Sequence, residues 1–342
     1  MRRLVERLGL AGASAVREVV ALEGGVASDI ARVRLAPDEG RGAPTVLCAK
    51  FALPKLRVAA DWRAPVHRSA AEYRWLEFAS RVVPGSTPAL HGHDAQMHGF
   101  AMEWLGKGRV WKRALLDGAS VGEEAGAVGD VLGRVHAASA APGFDPAGFD
   151  NADDFHAIRI EPYLLHTARA HPDLAPRLHA LAGDLYRARG ALVHGDVSPK
   201  NVILRAVGAG ASDGHAPVLL DAECATLGDP AFDVAFCANH LVIKALHLPD
   251  SRARLLEAAG ALVGAHRVHV RFEDPDALDA RVAKLVPALM LARADGKSPV
   301  EYLDADELER LRELARPLVH TAPASTRALL DALRDRLKGA DR

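Results

Sequence analysis

The chain has 342 residues, 49% of them hydrophobic, enough to bury one large core or two ordinary ones. Its 43 Lys and Arg against 44 Asp and Glu leave a net charge of −1, which excludes the basic footprint of a nucleic-acid or anionic-membrane binder. Three widely separated cysteines, Cys48, Cys224 and Cys237, exclude a disulfide framework or paired metal-ligand spacing and predict buried, reduced thiols in a cytoplasmic protein. No apolar run approaches the roughly 20 residues of a membrane span. The start, Met1-Arg-Arg-Leu-Val-Glu-Arg7, lacks the sustained apolar segment of a secretory signal.

Residues 1–11 read as a short amphipathic helix ending near Gly12. Val16–Leu22 and Ile30–Leu35 are strand candidates on either side of Glu23-Gly24-Gly25-Val26-Ala27-Ser28-Asp29. Glycine permits close backbone approach, so the turn at Gly24, Gly25 and Ser28 can bring N–H groups to a phosphate; a plain hairpin is the other reading. After a Gly- and Pro-rich loop, Thr45–Phe51 is a third strand carrying Lys50 near its end. Ala64–Arg81 follows as a helix, with Pro65 near its start and Ala70, Tyr73, Leu76 and Phe78 among its apolar positions. It carries Glu72 and, one and a half turns on, Glu77. Ala89–His93 and Gly99–Trp104 read as two more strands.

From there the pattern turns helical. Val121–Ala140 places Val121, Ala125, Val128, Leu132 and Val135 on one face, and His136 beside them reads as a core histidine. Residues 142–154 read as a loop, followed by helices over 162–170 and 174–189 with Gly190 as a C-cap. Between 142 and 184, Asp145, Asp150, Asp153, Asp154, Glu161, Asp173 and Asp184 accompany Arg159, Arg169 and Arg177. An acidic lining would suit a cationic acceptor; a solvated acidic surface explains the same residues. The end of the chain reads as helices over 232–248, 251–267, 277–294, 306–318 and 325–338.

The informative stretch lies between: Leu192-Val-His194-Gly-Asp196-Val-Ser-Pro-Lys200-Asn201-Val-Ile-Leu204, a polar excursion, then Val218-Leu-Leu-Asp221-Ala-Glu223-Cys224. Two apolar runs predict a strand hairpin that gathers Asp196, Asn201 and Asp221 at one edge. Phosphoryl transfer needs a base for the attacking hydroxyl and oxygen ligands for a magnesium ion bridging the phosphates. Mg²⁺ keeps several waters, so one Asp and one Asn suffice. His194-Gly-Asp196 with Asn201 five residues on fits the kinase catalytic-loop spacing, and Asp221 falls where a metal-binding Asp follows.

With Leu220-Asp221-Ala-Glu223 and Gly228-Asp229-Pro-Ala-Phe-Asp233-Val-Ala235, these residues resemble the aminoglycoside phosphotransferase and choline kinase group of small-molecule kinases. The resemblance implies an α+β, bilobal protein-kinase-like fold: a small antiparallel-sheet N-lobe with one main helix over 1–104, and a larger, mainly helical C-lobe over 105–342. It implies ATP and Mg²⁺ as cofactors, a small-molecule hydroxyl acceptor as partner, and Asp196 as the catalytic base. Lys50, oriented by Glu72, would hold the α- and β-phosphates. Asn201 and Asp221 would ligate magnesium. Glu223 would reach a second metal through water or brace the site, and Lys200 would touch a phosphate or stay solvated. Backbone groups of Glu103 and Leu105, in the hinge-like Ala101-Met-Glu-Trp-Leu-Gly106, would meet adenine. His194 would organise the loop, and Asp233 would pin its backbone.

Residues 52–65 look similar to the corresponding region of methylthioribose kinases. Those enzymes carry two adjacent arginines late in the chain and lack the catalytic-loop Asn; here Arg293 stands alone and Asn201 is present, so methylthioribose is disfavoured. A protein kinase is disfavoured by the short Asp221–Asp229 interval, which leaves no activation segment. The remaining alternative is a non-catalytic, pseudokinase-like nucleotide-binding module, from which loss of a base or metal ligand would be expected.

Overall fold

The computed structural model describes residues 1–22, 28–37, 44–57, 64–118, 122–206 and 214–339. Gly24 and Gly25 lie outside these residues, as does 58–63 of the methylthioribose-kinase-like stretch.

Five strands form an antiparallel sheet: β1 (Val16–Ala21), β2 (Ser28–Leu35), β3 (Val46–Ala52), β4 (Leu90–Asp94) and β5 (Gly99–Glu103), in the order β1-β2-β3-β5-β4. Side chains alternate between its two faces. Leu47, Ala49 and Ala101 join Leu4 and Val5 of α1 (Arg2–Arg7) in a small core on one face. Cys48, Phe100 and Met102 join Trp75 and Leu76 of α2 (Arg68–Val82) on the other, and that core runs on into the rest of the molecule. The same alternation places Lys50 on the α2 side. The N-terminal helix is shorter than expected, since it turns at Leu8 and Gly9, whose φ is +67°.

The second lobe is mainly helical. β6 (Arg109–Val110), α3 (Trp111–Leu116) and α4 (Gly122–Ser139) lead into α5 (Ala152–Phe155), a π-helical segment (His156–Leu165), α6 (His166–Ala170) and α7 (Ala175–Arg187). β7 (Ala191–Val193), β8 (Val202–Ala206), β9 (His215–Leu219) and β10 (Thr226–Gly228) precede α8 (Pro230–His247), α9 (Arg252–Arg267), α10 (Pro275–Asp295), α11 (Ala305–His320) and α12 (Thr326–Gly339). α8 is buried along residues 230–246, its polar Asp233, Asn239, His240 and Lys244 included. Asp229 caps it by accepting the Ala231 N–H at 2.9 Å, with Pro230 in the first turn. α4 and α9 cross so closely that a Cβ on Gly129 would stand 2.1 Å from the Leu262 carbonyl oxygen.

Three local expectations are corrected. The expected hairpin is formed by β8 and β9 alone, and the stretch before Asn201 does not belong to it. Leu192 and Val193 pair with β10, whereas Val202–Ala206 pairs with β9, so Asp196 sits in the loop passing between two sheets. Gly190 is not a helix cap: α7 ends at Arg187, and the Gly190 N–H donates to Gly228 C=O at 2.9 Å. Helix also begins at Ala152, inside the expected loop, and continues through Pro162 because the wider π turn accommodates a residue without an N–H. All three cysteines are free and buried. No helix of the described residues is long and apolar enough to cross a membrane.

Candidate active site

The site forms where β3, α2 and the segment from β7 to β10 meet. Lys50 is 3% exposed, and its ammonium lies 2.8 Å from Glu72 Oε1 and in direct contact with Asp221 Oδ1. Burial opposes its charge, yet Asp221 and Glu72 outweigh burial and hold its pKa above the ordinary lysine range. Glu72 is raised by burial against the pull of Lys50, so Asp221 is the more strongly ionised partner. Glu77 is half exposed and pairs with Arg81 at 3.5 Å, away from the site.

The loop 194–201 is held from beneath. Asp233, in the first turn of α8, accepts the His194 N–H at 2.7 Å and the Gly195 N–H at 2.8 Å. His136 Nε2 lies 3.1 Å from the same carboxylate and His136 Nδ1 lies 2.9 Å from His266 Nε2, so His136 is a bonded core residue. The His194 ring accepts the Asp196 N–H at Nδ1 (3.2 Å) and lies 3.1 Å from Leu220 C=O at Nε2. Burial lowers its pKa, so the neutral ring with the proton on Nε2 satisfies both contacts. Gly195 takes φ +78°, and a Cβ there would stand 2.7 Å from Cys224 Cβ. The loop therefore requires glycine on two independent grounds.

Asn201 Nδ2 donates to Asp196 C=O (3.0 Å) and Asp196 Oδ2 (2.8 Å). The Leu220 N–H donates to Asn201 C=O at 2.9 Å, and Val202 pairs with Leu219, so Asn201 stands beside Asp221. Asp221 adopts φ +68°, in the left-handed region that is uncommon outside glycine. Lys50, Glu72, Asp196, Asn201 and Asp221 are thus brought together from four separate segments. Ser28 opens β2 and is buried. The Glu103 N–H donates to Ala89 C=O at 2.7 Å and its carboxylate pairs with Arg205 at 2.8 Å; Leu105 C=O accepts the Gly108 N–H at 3.0 Å.

Two arginines stand at the centre without having been singled out from the sequence. Arg68 donates from Nε to Glu223 Oε2 at 2.9 Å and from Nη2 to Leu53 C=O at 2.8 Å. Its position four residues before Glu72, on the same helix face, was the available signal. Arg159 comes from the π-helical segment. Its Nε donates to Gly195 C=O at 2.6 Å, and its Nη2 lies 2.9 Å from Asp196 Oδ2. Lys200 approaches the same oxygen at 3.5 Å. Spacing carried no signal for Arg159. Of the acidic residues of 142–184, Asp145, Asp150 and Asp153 are exposed, while Asp154, Glu161, Asp173 and Asp184 pair with His67, Lys297, Arg316 and Arg187.

The two-lobed architecture is that of the protein-kinase-like enzymes. The sequence profile of the phosphotransferase enzyme family (APH) matches residues 50–246, more than half of the chain, and the protein belongs to this family of small-molecule kinases. No curated protein matches the chain. Among solved structures it is similar to a choline/ethanolamine kinase family protein from Mesorhizobium loti. The two are 14% identical over 99% of this chain and 94% of that one, with a TM-score of 0.45. An aminoglycoside phosphotransferase from Alicyclobacillus acidocaldarius is 16% identical over 95% and 93%, with a TM-score of 0.45. A glucosamine kinase in complex with glucosamine, ADP and inorganic phosphate is 21% identical over 86% and 78%, with a TM-score of 0.43.

Proposed function

We propose that the protein transfers the γ-phosphoryl group of ATP, with Mg²⁺, to a hydroxyl of a small molecule. The observation that carries this reading is Lys50 bridging Glu72 and Asp221 beside the Asn201–Asp196 pair. In the transfer, the acceptor oxygen forms a bond to phosphorus as the bond to the ADP oxygen breaks, and the acceptor proton passes to the Asp196 carboxylate. Arg159 and Asn201 aim that carboxylate. Lys50, released from Asp221 by the nucleotide and still held by Glu72, neutralises the α- and β-phosphates. Glu103 C=O and Leu105 N–H are the groups assigned to the purine edge, the opposite group of each being engaged within the protein. The Ser28 turn, with Gly24 and Gly25, is assigned to the phosphates.

Among the described residues no three His, Cys, Asp or Glu converge as a metal cluster. Asn201 and Asp221 nevertheless fit Mg²⁺, which takes few protein oxygens: Asn201 spends its Nδ2 on Asp196, freeing Oδ1, and Asp221 spends only Oδ1 on Lys50. The ion would supply charge neutralisation between the phosphates. Glu223 is assigned the bracing role, because Arg68 occupies it. We place the division of labour at residues 1–104 for the nucleotide and 105–342 for catalysis and the acceptor. The buried free thiols fit a reducing, cytoplasmic setting.

The test is Mg-ATP turnover against aminoglycosides, amino alcohols, sugars and their anionic derivatives. Asp196→Asn should bind Mg-ATP and lose a factor of order 10²–10⁴ in kcat; Asp221→Ala should lose Mg-ATP use. Full turnover in Asp196→Asn would sink the base assignment. Nucleotide binding with no transfer to any hydroxyl would favour the non-catalytic module.

A further inference from the structure

Beyond Asp196 the acceptor side of the site is walled by cations. Arg159 stands 5.9 Å over the Tyr163 ring and 5.7 Å over Phe236. Arg293 of α10 also stands over Tyr163, at 5.9 Å, with Nη1 3.4 Å from its hydroxyl. Phe236 packs edge-on against His240, and the His240 C=O is 3.5 Å from Lys244 Nζ. Lys244 in turn lies 5.0 Å over the Tyr302 ring, and Lys112 lies over the same ring at 5.5 Å. Basic side chains and aromatic rings therefore alternate in a row, Arg159 and Arg293 sharing Tyr163, and Lys244 and Lys112 sharing Tyr302, with Lys200 and Lys112 at its more exposed ends.

Charge balance along the row is uneven. Asp196 is matched by Arg159 and Lys200, and Glu301 by Lys112. Among the described residues neither Lys244 nor Arg293 has a carboxylate within ion-pairing distance, although they are only 1% and 9% exposed. Arg293 Nη1 donates to Ser298 C=O and, at 2.9 Å, to Ser298 Oγ, whereas its buried Nε has no hydrogen-bond partner among the described residues. Buried charges are ordinarily paired, because an unpaired one loses its hydration without compensation. Burial, with Lys112 and Arg293, pushes Lys244 down to about 7, a state that an anion alongside it would reverse.

We propose that the acceptor of this kinase is an anion, a hydroxylated phosphate ester or hydroxy acid, whose negative group is held by Lys244 and Arg293 while its hydroxyl meets Asp196. The inference rests on the kinase reading for the hydroxyl but not for the anion site. An ammonium acceptor would meet like charges here.

Calorimetric binding of inorganic phosphate, glycerol 3-phosphate, glycerate and glucosamine to the full chain, without nucleotide, tests it. The anions should bind and glucosamine should not, and Lys244→Met and Arg293→Gln should each weaken anion binding at least tenfold. Response to phosphate and glycerol 3-phosphate alone assigns a phosphate ester; response to glycerate alone assigns a hydroxy acid. No anion binding, binding unchanged in both variants, or binding lost only in Lys50→Met, on the nucleotide side, would overturn the proposal. Turnover is read separately. Asp221-dependent phosphorylation of glucosamine without anion binding would overturn this inference and leave the kinase reading standing. Anion binding lost in both variants, with no ATP-dependent transfer to any acceptor, would do the reverse.

Discussion

Arg159 serves two partners from one planar group, the Gly195 carbonyl through Nε and the Asp196 carboxylate through Nη2. A lysine reaches one of these at a time and lacks the fork that sets their relative direction. Arg159→Lys is therefore expected to lower kcat by about 10- to 100-fold with nucleotide affinity unchanged, a 1 Å misplacement of the base being worth that much. Steady-state kinetics with parallel ATP binding checks it, and an unaltered kcat would remove Arg159 from the positioning of the base. Legibility differs sharply among these residues. Asp196, Asn201 and Asp221 declared themselves through spacing and flanking strands, because the loop that carries the first two is local. Lys50 and Glu72 were found through their order in the chain, and stand 2.8 Å apart. Arg159 was one charge in a polar region, and no pattern distinguishes a buried arginine from a solvated one before its neighbours are known.

At the level of elements, the loop 194–201 hangs from the start of α8. The Asp233 carboxylate is held below its ordinary pKa, His136 and the loop N–H groups outweighing burial. It uses both oxygens, Oδ2 for His194 and Oδ1 for Gly195. Asp233→Asn presents an NH₂ to one of those N–H donors, leaving a buried donor unsatisfied and a charge-assisted bond lost, a cost of about 3 kcal/mol. A lowered denaturation midpoint together with reduced turnover is expected; unchanged stability would show that the loop is held elsewhere. Element types and approximate limits were legible, since α4, α8, α9, α10, α11 and α12 repeat apolar residues at helical spacing and fall close to their expected ranges. The split of one apolar run into β7 and β8 was not. A run of Val, Ile and Leu specifies a buried strand without naming its partner, and here the partners lie in two sheets.

Over the whole molecule, the two lobes are joined by ion pairs from Lys50 to Asp221 and from Arg68 to Glu223. Deep in the second lobe, Lys244 is faced by Lys112 from α3, Arg293 from α10, Cys237 and His240 from α8, and Glu301 and Tyr302 from the loop before α11. Its folded pKa lies near 7 against an ordinary 10.5. Between those values the unfolded chain binds a proton that the native state does not. Stability should therefore rise as pH increases from about 7 towards 10.5, with the full penalty present below 7. Lys244→Met should remove that slope and gain on the order of 4 kcal/mol at neutral pH; thermal melts across this range, without added anions, check it. A slope equal to that of the unaltered chain would mean that the ammonium is already compensated. The sequence by itself determined the cores of most elements and the base and metal-ligand candidates, because each is written within one short stretch whose geometry is local, and the fold class followed from the family resemblance that those stretches carry. Only the tertiary structure decided that Arg159 meets Asp196, that Arg68 takes Glu223, and that Lys244 and Arg293 are buried without a carboxylate beside them among the described residues. The energy of a charge depends on what surrounds it, and those surroundings are assembled from different elements, 36 residues apart in the chain for Arg159 and Gly195 and 155 for Arg68 and Glu223.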